Sequence, residues 1–211
     1  WTPVCEVDES MSLEDAIEGS RERLLESVRI RLRSDVPLAF CLSGGVDSAS
    51  LVSIAAKEFN AKLETFSIID SDERYNEEDN IMATVRDVGC QHNLIDLDQR
   101  EALPRLEKLI EYHDVPVATL SSYVYSLIAE SVSRGGYRVS FSGNSADEFF
   151  TGYYDHFILH LNEMRNCEDY ENFLAAWREH TAKFIRNPVL KNPDLYHDSP
   201  DFRDHIIQIF F

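Results

Sequence analysis

The fold is decided by the stretch Leu38-Ala39-Phe40-Cys41-Leu42-Ser43-Gly44-Gly45-Val46-Asp47-Ser48. Its first five residues form a short apolar run, which is typical of a strand buried in a parallel sheet. The paired glycines follow at once, and the residues after them predict a helix. Because an open parallel sheet presents its ligands where a strand turns into a helix, residues 43–48 predict a binding loop.

The residue types in this loop suit a phosphate-like anion. Glycines let the backbone approach a phosphate closely, and the N-terminus of the following helix adds a partial positive charge. The hydroxyl groups of Ser43 and Ser48 can donate hydrogen bonds to the same anion. Phosphate would repel Asp47 unless a divalent cation lay between them, so this aspartate predicts magnesium.

The loop has two alternative interpretations. A glycine-rich turn without any ligand has the same local pattern, although the strand and helix around it favour a binding site. The lysine-bearing phosphate loop of ordinary P-loop NTPases is absent from the sequence. An ordinary P-loop NTPase is therefore disfavoured.

Helices and strands alternate on both sides of the loop. Upstream, residues 12–33 carry apolar side chains at helical spacing, and Ser12 with Asp15 resembles a capping box. Downstream, the pattern predicts helices at residues 48–59, 77–88, 100–112 and 120–134, and strands at residues 63–69, 92–95 and 137–141. Strands separated by helices imply right-handed crossovers. The predicted fold is therefore α/β, an open parallel sheet with helices on both faces.

The strand pattern stops after Gly152. Residues 157–164 and 170–185 predict helices, whereas the prolines within residues 187–204 predict an irregular arm. The aromatic residues of this region are expected to be core: Phe149, Phe150, Tyr153, Tyr154 and Phe157. We predict a core domain at residues 1–152 and, at residues 153–211, a helical C-terminal extension with the irregular arm.

A second turn follows the last predicted strand, in the run Ser142-Gly143-Asn144-Ser145-Ala146-Asp147-Glu148. A strand-end turn with a carboxylate can face the first loop, and carboxylates from separate strands can hold magnesium on a pyrophosphate. Asp47 and Asp147 are the predicted metal ligands. The alternative is that Asp147 and Glu148 bind no ligand and only stabilise the first turn of a helix, as acidic residues do.

Size and charge limit the classes of function. A chain of 211 residues, 44% of them hydrophobic, can bury a full core. The formal charge of −18 argues against nucleic acid as a partner, including the tRNA of thiolating enzymes. The apolar runs are too short to cross a membrane, and the beginning of the sequence does not resemble a signal peptide. Cys5, Cys41, Cys90 and Cys167 form no zinc or disulfide pattern, so a cytoplasmic protein is expected.

Residues 43–48 resemble the S-G-G-x-D-S signature of the ATP-pyrophosphatase superfamily, whose members cleave ATP between the α and β phosphates. Residues 31–37 resemble the R-L-x-S-D-V-P run of its asparagine synthetase branch, and residues 142–153 resemble the acidic block of that branch. The resemblance implies an adenine nucleotide alpha hydrolase-like fold. It also implies an AMP-forming ligase of the glutamine-hydrolysing asparagine synthetase type, which adenylates a carboxylate and transfers ammonia to it.

The resemblance assigns roles to individual residues, with ATP and Mg²⁺ as cofactors. Adenine is expected to meet main chain near Cys41, near Ile68 and near Ser142 and Gly143. The pyrophosphate is expected on the glycine loop, and the catalytic residues on this comparison are Asp47, Asp147 and Glu148. The partner is a small-molecule carboxylate, and a homodimer is an open alternative.

The sequence departs from the family at substrate-facing positions. Asn144 and Ser145 stand where the family commonly has glutamate and then glycine, and a neutral asparagine removes a charge that would orient an ammonium-bearing substrate. The acceptor is therefore open: aspartate, or another carboxylate such as a sugar uronic acid. A non-catalytic nucleotide-binding module is a further alternative. The glutaminase domain that supplies ammonia and the family's catalytic lysine are missing, so the chain is predicted to be a fragment.

Overall fold

The structure is a computed structural model that describes residue 8 and residues 10–73, 75–117 and 119–210. Cys5 lies outside these residues. The chain divides into two compact units, one up to Asn144 and one from Ser145. The predicted division at residue 152, into a synthetase core and an extension, stays a prediction.

The first unit contains the predicted alternation of helices and strands. Its described elements are α1 (Leu13–Arg31), β1 (Leu38–Cys41), α2 (Val46–Lys57), β2 (Glu64–Ile69), α3 (Glu78–Val88), β3 (Gln91–Asp96), α4 (Ala102–His113), α5 (Ser121–Arg134) and β4 (Val139–Phe141). The strands form one sheet in the order β3-β2-β1-β4, and every pairing is parallel. The predicted fold class is therefore confirmed, and β1 lies between two neighbours.

Alternating side chains of β1 explain why both faces of the sheet are covered. Phe40 belongs to a buried cluster with Val28 of α1 and Val52 of α2. Its neighbour Ala39 points to the opposite face, where it clusters with Phe66 of β2 and Val132 of α5. Because successive residues of a strand point to opposite faces, α1, α2 and α3 cover one side of the sheet and α5 covers the other.

The N-terminus of α1 confirms the predicted cap. The backbone N–H of Asp15 donates to Ser12 Oγ at 3.1 Å, and the Ser12 hydroxyl donates to Asp15 Oδ2 at 2.7 Å. The cap satisfies one of the amides that a helix leaves without a partner in its first turn. No helix among the described residues is long and apolar enough to cross a membrane.

The second unit contains α6 (Ala146–Phe150), α7 (Tyr154–Glu163), α8 (Tyr170–His180), α9 (Leu195–Asp198) and α10 (Pro200–Phe210). The predicted irregular arm is wrong over much of its length. Tyr196 in α9 is 0% exposed, and its hydroxyl donates to Asp155 Oδ1 at 2.7 Å. Pro200 is the first residue of α10, where the missing N–H of proline breaks no helical hydrogen bond.

The aromatic cluster predicted to be core is exposed instead. Phe149 and Phe150 are 77% and 61% exposed, and Tyr153, Tyr154 and Phe157 also lie on the surface. The core of the second unit is built from other residues, including Ile158, Leu161, Trp177 and Tyr196. For Phe149 and Phe150 the prediction failed because α6 ends after five residues, so these two side chains do not continue the apolar face of α7.

Candidate active site

The glycine loop leaves the carboxyl end of β1 and is anchored to β2. Leu42 donates its N–H to the carbonyl of Phe66 at 2.9 Å, and the Ser67 hydroxyl donates to the Leu42 carbonyl at 2.5 Å. Ser67 is 1% exposed. The sequence analysis missed Ser67, because a serine within a strand carries no local sign of the long-range partner that it will find.

Two serines fix the conformation of the loop. The Ser43 N–H donates to Ser48 Oγ at 2.9 Å, and the Gly45 N–H donates to Ser43 Oγ at 3.2 Å. The two hydroxyl oxygens lie 2.8 Å apart. These hydroxyls therefore organise the loop itself, and their predicted donation to an anion stays a prediction.

Helix α2 points its N-terminus into the loop. Gly45 is the N-cap, and the 12-residue helix begins at Val46. The N–H groups of the first turn have no carbonyl partner within the helix, and the helix dipole is positive at this end. Partly buried Asp47 lies in that turn, so a carboxylate stands beside the part of the loop that favours anions.

The turn after β4 lies directly against this helix end. A Cβ atom placed on Gly143 would lie 2.8 Å from the Ser48 backbone nitrogen and 3.1 Å from Asp47 Cβ. Only glycine leaves room for this approach. The contact follows from the sheet, since β4 pairs with β1 and the carboxyl ends of parallel neighbours meet at one edge.

The first unit also places the positions expected to meet adenine. Cys41 ends β1, Ile68 lies on β2, and Ser142 follows β4. Burial raises the pKa of the Cys41 thiol, and a hydrogen bond with Ser140 opposes this shift to a smaller extent. The thiol is therefore protonated at neutral pH and is not an activated nucleophile.

The two residues predicted to face the substrate have distinct environments. Asn144 is exposed, and its side-chain oxygen accepts a long hydrogen bond, 3.5 Å, from the Tyr125 hydroxyl. Ser145 precedes α6 with φ +74°, in the left-handed region that favours glycine. The family that the sequence resembles commonly has glycine at this position.

Asp147 and Glu148 lie in the first turn of α6, in the second unit. A Cβ atom on Gly152 would overlap the Asp147 carboxylate, so the glycine makes room for it. The Tyr153 hydroxyl donates to Glu148 Oε1 at 2.8 Å. These contacts fix the two acids within their own unit, and a site shared with Asp47 stays a prediction.

Glu77 contacts the glycine loop, although the sequence analysis did not select it. The N–H of Gly44 donates to Glu77 Oε2 at 2.9 Å. A Cβ atom on Gly44 would lie 2.5 Å from Glu77 Cβ, so the loop and the start of α3 touch. The acidic run at residues 70–79 is more often typical of a solvated loop, and nothing in it marks Glu77 as a partner of a residue 33 positions earlier.

The donor chemistry of the loop fits magnesium. Carboxylate oxygens are the protein ligands that Mg²⁺ takes, usually one or two of them together with phosphate oxygens. Asp47 supplies such a group at the helix end. Among the described residues, no group of three or more histidine, cysteine, aspartate or glutamate side chains is placed to hold a metal ion.

Comparisons with known proteins identify a family model and several curated relatives. A family model described as asparagine synthase matches residues 19–200. The chain is 31% identical over 159 residues to an amidase of Penicillium rubens, covering 69% of this chain and 24% of the amidase. It is 33% identical over 137 residues to the glutamine-hydrolysing asparagine synthetase 1 of Bacillus subtilis, covering 65% and 21%. For a putative asparagine synthetase of Methanocaldococcus jannaschii the identity is 34% over 151 residues, covering 71% and 28%. The chain thus spans about a quarter of the length of these curated relatives.

Proposed function

Because the chain belongs to the asparagine synthase family, we propose that it contains the ATP-binding part of an amide-forming ligase. The ligase adenylates a small-molecule carboxylate and passes the acyl group to ammonia. The observation that carries the proposal is the contact of Gly143 with Asp47 and Ser48. It joins two strand-end turns of the kind at which open parallel sheets bind nucleotides.

In the first half-reaction, a carboxylate oxygen of the acceptor attacks the α-phosphorus of ATP. The bond from that phosphorus to the β-phosphate oxygen breaks, and pyrophosphate leaves with the electron pair. The first-turn amides of α2 and its dipole stabilise the negative charge that develops on the leaving group. Gly143 allows the second turn to pack against this helix end.

In the second half-reaction, ammonia attacks the carbonyl carbon of the acyl adenylate. The bond from that carbon to the AMP oxygen breaks, AMP leaves with the electron pair, and the new amide loses a proton. In the proposed whole protein, a glutaminase domain supplies the ammonia. Glu148 is the proposed acid near the reacting groups.

Asp47 and Asp147 are the residues proposed to hold Mg²⁺. When bound, the ion neutralises charge on the pyrophosphate. The proposed adenine contacts are main-chain groups at Cys41, Ile68 and Ser142. Cytoplasmic asparagine biosynthesis is the proposed setting for an aspartate acceptor.

A second acceptor class is favoured by Asn144. Its neutral amide, held by Tyr125, lacks the charge that would attract the ammonium group of an amino acid. A carboxylate without a nearby ammonium group, such as a sugar uronic acid, suits this position better. The alternative proposal is therefore a related ligase that amidates such an acid.

The test, on the full-length protein that contains this chain, is AMP formation from ATP labelled at the α phosphate, with ammonium as the nitrogen source. Aspartate and uronic acids are offered separately, in the presence of magnesium. We expect AMP only with an acceptor present, and we expect Asp47→Asn to abolish it, while the exposed Asp79→Asn does not. ATP binding without AMP from any acid would instead support the non-catalytic nucleotide-binding module.

A further inference from the structure

A side-chain carboxylate of the same chain accepts a hydrogen bond from a backbone amide of the glycine loop. Glu77 Oε2 accepts the Gly44 N–H at 2.9 Å. A hydrogen bond between an N–H group and a carboxylate is charge-assisted and stronger than one between neutral groups. The Gly44 amide is therefore already bonded to an anion in the structure.

The neighbouring loop amides are satisfied in a different way. Those of Ser43 and Gly45 donate to serine hydroxyls within the loop. Hydroxyls are neutral and belong to the loop, whereas the Glu77 side chain is charged and enters from the start of α3. Among these three amides, an incoming anion would therefore compete with a charged protein group only at Gly44.

The core holds Glu77 in this place. Its N-cap position lies one turn before Ile81, which is 1% exposed and belongs to the cluster that joins α2 and α3. Gly44 has no side chain to keep the two backbones apart. The carboxyl end of Glu77 is nevertheless exposed, so it can turn into water without uncovering apolar surface.

We propose that Glu77 weakens anion binding at the glycine loop, acting as a built-in competitor for the Gly44 amide. The inference rests on the proposed function of the loop as a pyrophosphate site. A single phosphate gains few contacts beyond those that Glu77 already provides, so it displaces the carboxylate poorly. A pyrophosphate reaches the α2 amides as well and displaces it.

The charge of Glu77 also repels any anion bound beside it. A unit charge about 4 Å away is worth about 1 kcal/mol in water, equivalent to about fivefold in affinity. Removing that charge should strengthen the binding of both anions.

The experiment compares the 211-residue chain with Glu77→Gln and Asp79→Asn. The glutamine oxygen can still accept from Gly44, and Asp79 is an exposed acid of the same helix, so the control carries the same change in charge. Calorimetry with inorganic pyrophosphate and with orthophosphate should give about fivefold tighter pyrophosphate binding for Glu77→Gln. Asp79→Asn should change either affinity less than about twofold.

Equal behaviour of the two variants, or weaker binding by Glu77→Gln, would overturn the inference. A direct readout is the Gly44 amide resonance, which should differ between the wild type and Glu77→Gln and should move in both when pyrophosphate binds. If the wild type bound neither pyrophosphate nor ATP, the proposed function itself would be rejected. Wild-type binding with no effect of Glu77 would reject only the competitor.

Discussion

Gly143 approaches Asp47 so closely that a Cβ atom on the glycine would lie 3.1 Å from the aspartate Cβ. The two residues are far apart in sequence and meet because β1 and β4 are parallel neighbours. The contact puts a strand-end turn from each strand around one helix N-terminus. The account of ATP binding depends on this convergence.

Replacing Gly143 with alanine should separate the two turns. The new Cβ would lie 2.8 Å from the Ser48 backbone nitrogen, and that backbone cannot move aside as a flexible side chain could. Overpacking of this kind costs typically about 1–3 kcal/mol. We expect urea unfolding to report a loss of this size and calorimetry to report ATP affinity reduced at least about tenfold.

Gly19→Ala is the matched control for this change. Gly19 lies within α1, and nothing lies within 4 Å of the position its Cβ would take. Alanine in a helix is about 1 kcal/mol more favourable than glycine. The control should stabilise the chain and leave ATP affinity unaltered, whereas a Gly143→Ala variant with full affinity would contradict the convergence of the turns.

Ser145→Gly should raise the free energy of unfolding by up to about 2 kcal/mol, because a left-handed conformation costs a residue with a side chain about 1–2 kcal/mol. The serine has φ +74°. Ser145→Ala keeps that cost and serves as the comparison. If the glycine variant melted below the alanine variant in a thermal scan, the strain at this position would be disproved.

Ser67→Ala should loosen the start of the glycine loop. The hydroxyl donates to the Leu42 carbonyl at 2.5 Å inside the sheet. Leaving a buried polar group without its partner costs about 1–3 kcal/mol. Denaturant unfolding should report a loss in this range, and an unchanged midpoint would mean that Ser67 does not hold the loop.

His92 should make the fold less stable in mild acid. Its Nδ1 lies 2.7 Å from Thr65 Oγ1, and its Nε2 is buried with no hydrogen-bond partner among the described residues. Burial lowers the pKa of the imidazole below 6.5, so the unfolded chain binds the proton more readily than the folded one. As far as His92 is concerned, the free energy of unfolding is therefore highest above pH 6.5. It decreases as the pH falls through 6.5 towards the pKa of the folded state.

The measurement is the melting temperature of the wild type and of His92→Gln at neutral pH and at pH about 5.5, below the ordinary histidine pKa. The melting temperature of the wild type should fall further than that of the variant between these two pH values. Because glutamine does not titrate, the difference isolates the imidazole from the many carboxylates. Identical losses in the two proteins would rule out His92 as the cause.

Local pattern was enough to predict the sheet and the position of the glycine loop. The apolar run before Ser43 and the paired glycines carry both predictions, and helical spacing identified α1 and its cap at Ser12. These features depend on neighbours in sequence. The order of the strands, with β1 between β2 and β4, is set by long-range packing, and the sequence analysis left it open.

The side-chain contacts that shape the glycine loop also depend on long-range packing. Glu77 reaches Gly44 from 33 residues away, and Ser67 reaches Leu42 from 25 residues away. Neither side chain differs in type from the solvated acids or strand serines around it. The exposed Phe149 likewise could not be distinguished from a core aromatic until the end of α6 was known.

The most direct test of the central claim is the affinity of the chain for ATP with magnesium, measured by calorimetry for the wild type, Asp47→Asn and the control Asp79→Asn. Changing even residues that support a metal ligand typically reduces metal affinity about 10–100-fold, so a change of the ligand itself should cost at least about tenfold. We predict that Asp47→Asn binds ATP at least about tenfold more weakly than the wild type and that Asp79→Asn binds as the wild type does. Equal affinity of Asp47→Asn and the wild type would contradict the account.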